Sequence, residues 1–103
     1  MSQSQLMLEV LSGPLDGTLI TLNADAEWSQ AGDGRLAFPW DEELGKPQAR
    51  FTVDEGGWSL EGLQSPHGTY RLNQEKPERV KDKIQLTIGD LLKASQTWLM
   101  VRE

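Results

Sequence analysis

The stretch Ala49-Arg-Phe-Thr-Val-Asp-Glu-Gly-Gly-Trp-Ser-Leu60 decides the fold class, because it contains two alternating segments around a tight turn. Phe51 and Val53 alternate with polar residues before Glu55-Gly-Gly57, and Trp58 begins a second alternation after it. A period of two is the pattern of a β-strand with one buried face, and a Gly-containing turn between two such segments predicts a β-hairpin. We therefore expect an antiparallel hairpin near the centre of the chain.

The same pattern of short apolar segments, separated by Gly, Pro or Asp turns, recurs along the chain, and no stretch has clear helical periodicity. Further strands are predicted at residues 6–11, 18–22, 27–31, 35–38, 69–72, 84–88, 91–94 and 97–101. The mixed-charge residues 73–83 are expected to form a solvated connection. Together these patterns predict one all-β domain spanning residues 1–103, an antiparallel β-sandwich of about 10–11 short strands without substantial helix.

Composition argues against catalysis and against a bound metal or cofactor. The 103 residues include one His and no Cys, so disulfides, thiolate zinc sites and a Cys nucleophile are excluded. The sequence contains neither a phosphate-binding Gly-rich loop nor a Gly-x-Ser-x-Gly nucleophile turn. We expect no enzyme activity and no cofactor. Trp58 and Trp98 alternate with polar neighbours and are expected in the core, whereas Trp40 is expected to be partly exposed.

The net charge of the chain limits the classes of molecule that it is expected to bind. The formal net charge is −6, and residues 1–70 alone carry three basic and eleven acidic side chains, a net −8. Such an acidic body argues against nucleic-acid binding, which needs clustered Lys and Arg. No apolar run reaches the roughly 18 residues that a membrane span needs, and no secretory leader is visible, so we expect a cytoplasmic protein without membrane insertion.

Five segments occur in the order and spacing of the forkhead-associated (FHA) family, which the chain resembles over nearly its whole length. They are Leu8-Glu-Val-Leu-Ser-Gly-Pro14 with Asp16-Gly17, the hairpin 49–60, Ser65-Pro-His-Gly-Thr-Tyr70, Leu86-Thr-Ile-Gly-Asp90 and Trp98-Leu-Met-Val101. The third segment resembles the family's Ser-x-Asn-Gly-Thr loop. The resemblance implies an eleven-stranded β-sandwich whose loops at one end bind phosphothreonine peptides.

The resemblance places most of the family's phosphate-binding positions on different residue types. The family's Gly-Arg pair falls on Ser29-Gln30, and its Ser-Arg-x-His turn falls on Gly45-Lys46-Pro47-Gln48. Gly34-Arg35 offers a second placement for the Arg. A phosphate needs charge-assisted hydrogen-bond donors to offset its desolvation, so the phosphate site is expected to be degenerate.

The third loop keeps more of the family pattern. His67 occupies the position of the family's Asn, while Ser65 and Thr69 match it. A His side chain can donate one hydrogen bond when neutral, and as imidazolium it can contact an anion. Its alternative role is that of a loop residue packed beside a proline.

We therefore expect a protein–protein interaction module or adaptor that binds a protein or peptide independently of phosphate. Its predicted binding residues are Gln30, Arg35, Lys46, Gln48, Ser65, His67 and Thr69. Similar degenerate domains occur as adaptors in bacterial secretion-system rings, so the resemblance implies a secretion or signalling assembly. One alternative is a phosphothreonine-peptide reader with a rebuilt anion site; the other is a small β-rich ligand-binding domain unrelated to the family.

Overall fold

The computed structural model describes residues 5–31, 34–63, 68–72 and 77–102 of the chain. This part contains ten strands and one 3-10 helix, Gly13–Leu15. The strands are β1 (Leu6–Val10), β2 (Leu19–Leu22), β3 (Ala26–Trp28), β4 (Ala49–Asp54), β5 (Gly57–Gly62), β6 (Thr69–Leu72), β7 (Pro77–Arg79), β8 (Lys83–Gln85), β9 (Leu91–Ala94) and β10 (Thr97–Arg102). Within these ranges no helix has the length and apolar character needed to cross a bilayer.

The strands form two sheets that enclose one core. One sheet has six strands in the order β2-β1-β10-β9-β6-β7, and the other has four in the order β3-β4-β5-β8. Every pair of neighbouring strands is antiparallel. The expected all-β antiparallel sandwich is therefore confirmed.

The central hairpin has the expected register. Phe51 lies opposite Leu60, and both side chains are fully buried. Gly57, at the start of β5, has a φ of +114°, which a residue without a Cβ adopts at little cost. The alternation in the sequence thus identified both the strands and the face that each one buries.

The core draws on both sheets. Trp28 is fully buried and stacks on Phe51 with 6.1 Å between the ring centroids. The other large side chains that are almost fully buried are Leu8, Leu22, Leu36, Phe38, Leu60, Leu92 and Leu99. Two of them, Leu36 and Phe38, belong to the loop between β3 and β4, so apolar burial holds part of that loop against the sandwich.

Residues 73–83 were expected to form a solvated connection, and for part of this segment that prediction is wrong. Strand β7 lies within it and pairs with β6, so that Tyr70 faces Arg79 and Leu72 faces Pro77. An edge strand has one ladder partner and tolerates both charge and a terminal proline. Its composition therefore resembles that of a loop, and the sequence pattern hides it.

Residues 35–38 are not a strand, contrary to the sequence prediction. The backbone turns there, and Ala37 makes only an isolated parallel bridge to Ser29. Leu36 and Phe38 nevertheless both point into the core, where their side chains are buried. A turn that is anchored by two inward apolar groups gives the same short pattern as a strand.

Trp98 lies on the outer face of the six-stranded sheet, so its predicted place in the core is wrong. Leu99 and Val101 are the β10 residues that point inward, and Trp98 lies opposite Lys93, whose ammonium is 5.6 Å from the centroid of the Trp98 ring. Since β10 carries apolar side chains on both faces, its alternation does not specify which face is buried. Trp58 is buried, as expected.

The end of β5 tests the packing of the sandwich. A Cβ on Gly62 would lie 1.9 Å from the carbonyl oxygen of Val80, a backbone atom that cannot move away cheaply. We expect Gly62→Ala to lower the free energy of unfolding by about 3 kcal/mol, the upper range for overpacking. Urea denaturation measures it, with Gly34→Ala as the control because no atom lies within 4 Å of that Cβ. Equal stability of the two variants would contradict this packing.

Candidate functional site

The candidate site lies where the loop between β3 and β4 meets the connection that enters β6. The backbone N–H of Gln30 donates to the carbonyl of Gly45 over 2.9 Å, which closes the first loop on itself. The side-chain amide of Gln48 then reaches the start of β6, where it donates to the carbonyl of Gly68 at 2.8 Å. Two loops that are 20 residues apart in sequence are thus held together at one end of the sandwich.

Gln48 is fully buried, and all of its polar groups are bonded. Its side-chain oxygen accepts from the backbone N–H of Gly45 at 2.7 Å, and its amide nitrogen donates to Gly68 and to the Thr69 hydroxyl. Its backbone N–H donates to the carbonyl of Trp28, and its carbonyl accepts from Leu63. A buried amide with complete bonding orients its neighbours strongly, because any alternative position leaves a polar group unpaired.

Thr69 is turned into the protein. Its side chain is 1 % exposed, and its hydroxyl accepts a 2.9 Å hydrogen bond from the Gln48 amide. The hydroxyl therefore holds the loop in place and is not presented to a ligand.

Gln30 provides a neutral amide where the resemblance placed an arginine. Its side-chain nitrogen donates to the carbonyl of Pro39 at 3.1 Å, within its own loop. The side chain is half-buried and lies beside the turn that contains Lys46. The geometry brings Gln30, Gln48 and Thr69 into one network, and each of these three side chains bonds to another part of the protein.

The two cations predicted for the site occupy different stretches of the loop between β3 and β4. Lys46 is exposed in the turn before Gln48. Arg35 lines a depression of about 500 Å³ whose wall includes Asp25 and Glu27, beside β3. Ser65 and His67 lie outside the described residues, and their predicted roles stay predictions.

Asp41 is a positioning residue that the sequence did not single out. Its carboxylate is 1 % exposed and accepts hydrogen bonds from the hydroxyls of Ser95 and Thr97 at 2.7 Å and from the backbone N–H of Gln96 at 2.9 Å. These bonds tie the loop between β3 and β4 to the β9–β10 turn, more than 50 residues away. Nothing in the local sequence distinguishes Asp41 from its acidic neighbours, since its partners are distant in the chain.

Trp40 also fixes the loop between β3 and β4, by packing against the connection between β1 and β2. Its ring packs so closely over Gly13 that a Cβ there would lie 2.5 Å from it, and it meets Phe38 edge-on at 6.4 Å between centroids. The side chain is partly exposed, as expected, and packs against the core. In the described part of the chain, no group of three or more acidic or His side chains is arranged to hold a metal ion.

Solved FHA domains superpose on nearly the whole chain. An FHA domain of an Arabidopsis thaliana hypothetical protein gives a TM-score of 0.81 at 22% identity, covering 99% of this chain and 87% of that one. A domain from a study of phosphothreonine-dependent FHA interactions gives 0.76 at 20% identity, covering 96% of each chain. The FhaA FHA domain, complexed with the intracellular domain of Rv3910, gives 0.75 at 20% identity, covering 94% and 99%.

The chain has the fold of an FHA domain. No family model and no curated protein matches its sequence. The FHA-like fold thus confirms the resemblance seen in the sequence, while the identity of about one residue in five establishes the fold alone.

Removing the Asp41 carboxylate tests whether it anchors the loop between β3 and β4. Asp41→Ala leaves two hydroxyls and one backbone N–H without their acceptor, so we expect the free energy of unfolding to fall by about 3 kcal/mol. Chemical denaturation measures this loss. Glu42→Ala removes an exposed carboxylate from the neighbouring position and is expected to change stability by less than about 0.5 kcal/mol. If both variants lost the same stability, Asp41 would not be the anchor.

Removing the Gln48 amide tests the link between the two loops. Gln48→Ala removes the acceptor of the buried Gly45 N–H and the donor to the Gly68 carbonyl and the Thr69 hydroxyl, and we expect a loss of about 3 kcal/mol. Amide hydrogen exchange of residues 45 and 69 is expected to accelerate more than that of the β4–β5 hairpin. Gln96→Ala, at an exposed glutamine, is the control. Uniform acceleration throughout the sandwich would contradict a local linking role.

Proposed function

We propose that this FHA-like domain is a protein–protein interaction module, without catalytic activity, that binds its partner independently of phosphate. Its binding surface is formed by the loop between β3 and β4, which carries Gln30, Arg35 and Lys46, and by the connection that contains Ser65 and His67. The buried side chains of Gln48 and Thr69 hold these two loops in place beneath that surface. The partner is a protein or a peptide. An adaptor in a bacterial secretion or signalling assembly is the setting that the sequence resemblance suggests.

The observation that carries this proposal is the internal network of Gln48. Gln30 and Gln48 occupy positions that the resemblance assigns to the phosphate site, Thr69 follows the family's Asn-Gly pair, and each of these three side chains makes a hydrogen bond within the protein. A phosphate with about two negative charges requires charged donors that are free to face it. Neutral amides that already hold the loops do not meet that requirement.

The surrounding charge supports the same conclusion. Arg35 shares the wall of its depression with the carboxylates of Asp25 and Glu27, so the charge lining that depression is mixed rather than basic. With a net −8 over residues 1–70, the domain also repels an anionic peptide over the Debye length of about 10 Å. A solved FHA neighbour bound to a folded intracellular domain is consistent with a protein as the partner.

A paired titration tests phosphate independence. We would follow the amide spectrum of the labelled chain during addition of a degenerate phosphothreonine peptide library and, separately, of the same library without phosphate. We expect no saturable shift that is specific to the phosphorylated library, because the side chains of Gln30, Gln48 and Thr69 already bond within the protein. The phosphothreonine-dependent FHA domain is the positive control and must respond to the phosphorylated library in the same buffer.

The contrary outcome is also specific. Saturable shifts at residues 35, 46 and 65–69 with the phosphorylated library alone would support the rebuilt anion site and reject phosphate independence. Lys46→Gln would then be expected to weaken that binding. Lys83→Gln removes the same charge from β8, an exposed strand of the four-stranded sheet, and would leave the binding unchanged.

A further inference from the structure

The outer face of the six-stranded sheet is apolar where a solvated face is usually polar. The register aligns one row of side chains across all six strands, and only one of its six members, Glu9, is charged; the others are Leu19, Met100, Leu91, Leu72 and Pro77. Antiparallel sheets with one face in water normally place polar residues on that face. A contiguous departure of this kind is typical of an interaction surface.

This row is not an extension of the core. The partly buried apolar residues that pack against the core are Ala26, Trp40, Val53, Ile84 and Leu86, and none of them belongs to the row. Leu19, at the edge of the sheet, is 56% exposed. Within the described part of the chain, the sheet therefore presents a second apolar face.

A depression of about 550 Å³ opens on this face at the β6–β7–β9 side. Tyr70, Leu72 and Pro77 form its apolar lining, and Lys93 and Glu43 contribute one charged side chain of each sign. Ser95 lines the depression and also bonds to Asp41, so the depression adjoins the anchored loop of the candidate site. It is large enough for one or two apolar side chains of an extended segment.

On the sheet itself the charged side chains beside the depression are basic, while Glu43 of the loop between β3 and β4 is the acidic residue in its lining. The neighbouring row of the same face reads Trp98, Lys93, Tyr70, Arg79 across four strands. Lys93 lies over the Trp98 ring, and Arg79 packs against Gly68; within the described residues neither has a carboxylate partner. Glu9, the acidic member of the first row, is bonded to Arg102 at 3.2 Å. This face is thus locally positive in a chain of net charge −6.

We propose that this face docks an extended, unphosphorylated segment of a partner protein that combines apolar and acidic residues. An aromatic or aliphatic side chain enters the depression over Tyr70 and Leu72, and carboxylates of the segment pair with Lys93 and Arg79. A second copy of this chain, placed face to face about a two-fold axis, would bring the same cations together and is disfavoured by charge. The site is separate from the loop tips and goes beyond the function proposed for them.

Peptide selection followed by mapping tests the proposal. The immobilised full chain would select from a displayed library of random, unphosphorylated 16-residue peptides, and the consensus would be synthesised and titrated by calorimetry. We expect consensus sequences with Asp or Glu beside aromatic or aliphatic residues. On the labelled chain, the consensus peptide is expected to shift the amides of β6, β7 and β9.

Charge reversal identifies the cations that contribute. The double variant Lys93→Glu with Arg79→Glu is expected to weaken the consensus peptide at least tenfold, since both carboxylate contacts become repulsive. The matched control, Lys81→Glu with Lys83→Glu, makes the same charge change at exposed lysines and is expected to alter affinity less than twofold. Circular dichroism checks that both double variants fold.

Each contrary outcome is decisive. Failure to enrich any consensus, equal effects of the two double variants, or shifts confined to residues 45–48 and 68–69 would overturn docking on this face. A dimer in light scattering that Leu91→Arg disrupts would assign the face to a second copy and overturn the proposal as well. None of these results depends on phosphate, so they are distinguishable from failure of the proposed loop function.

Discussion

The buried amide of Gln48 is the constraint on which the loop end of the sandwich depends. Its side chain bonds to the turn before it and to the start of β6. Its backbone bonds to Trp28 of the four-stranded sheet and to Leu63, which directly follows β5. A single residue thereby joins both sheets and two loops. Because the site excludes water, each of these bonds costs more to lose than it would at the surface.

This constraint has a consequence for binding. An amide that orients two loops is not available to a ligand, and the same holds for the Thr69 hydroxyl that it contacts. The link between these two loops is therefore made by neutral groups. Preorganisation of this kind suits a partner that contributes its own surface, since little conformational freedom is lost when it binds.

Asp41 and Trp40 extend the same principle outward from the core. The Asp41 carboxylate joins the loop between β3 and β4 to the β9–β10 turn, and the Trp40 indole packs against Gly13 in the connection between β1 and β2. The depression on the outer face begins beside the residues that Asp41 holds. The loop surface and the outer face of the sheet consequently share a support, although their proposed partners bind by different chemistry.

Much of the fold could be predicted from the sequence. The alternation at Phe51 and Leu60 found the central hairpin, and the order of short segments with Gly and Asp turns predicted a sandwich of about the right number of strands. For the candidate site, the resemblance predicted Gln30 and Gln48 at the same end of the molecule, and in the structure each of them bonds to Gly45. It also predicted that charged donors would be missing there.

Other features could not be predicted, for identifiable reasons. Strand β7 was hidden because an edge strand tolerates the composition of a loop. Trp98 was misplaced because β10 is apolar on both faces, so period two alone leaves the inward face undetermined. Arg35 remained ambiguous because one sequence permits two placements of the loop before β4.

The sequence by itself determined the fold class and the absence of Cys chemistry, because these follow from residue type and short-range periodicity. Only the tertiary structure decided which side chains meet. The bonds from Asp41 to Ser95 and from Gln48 to Gly68 join residues 54 and 20 positions apart, and no local pattern encodes such pairs. They form because the closed sandwich removes water from these groups, so that each one must bond to the protein groups within its reach.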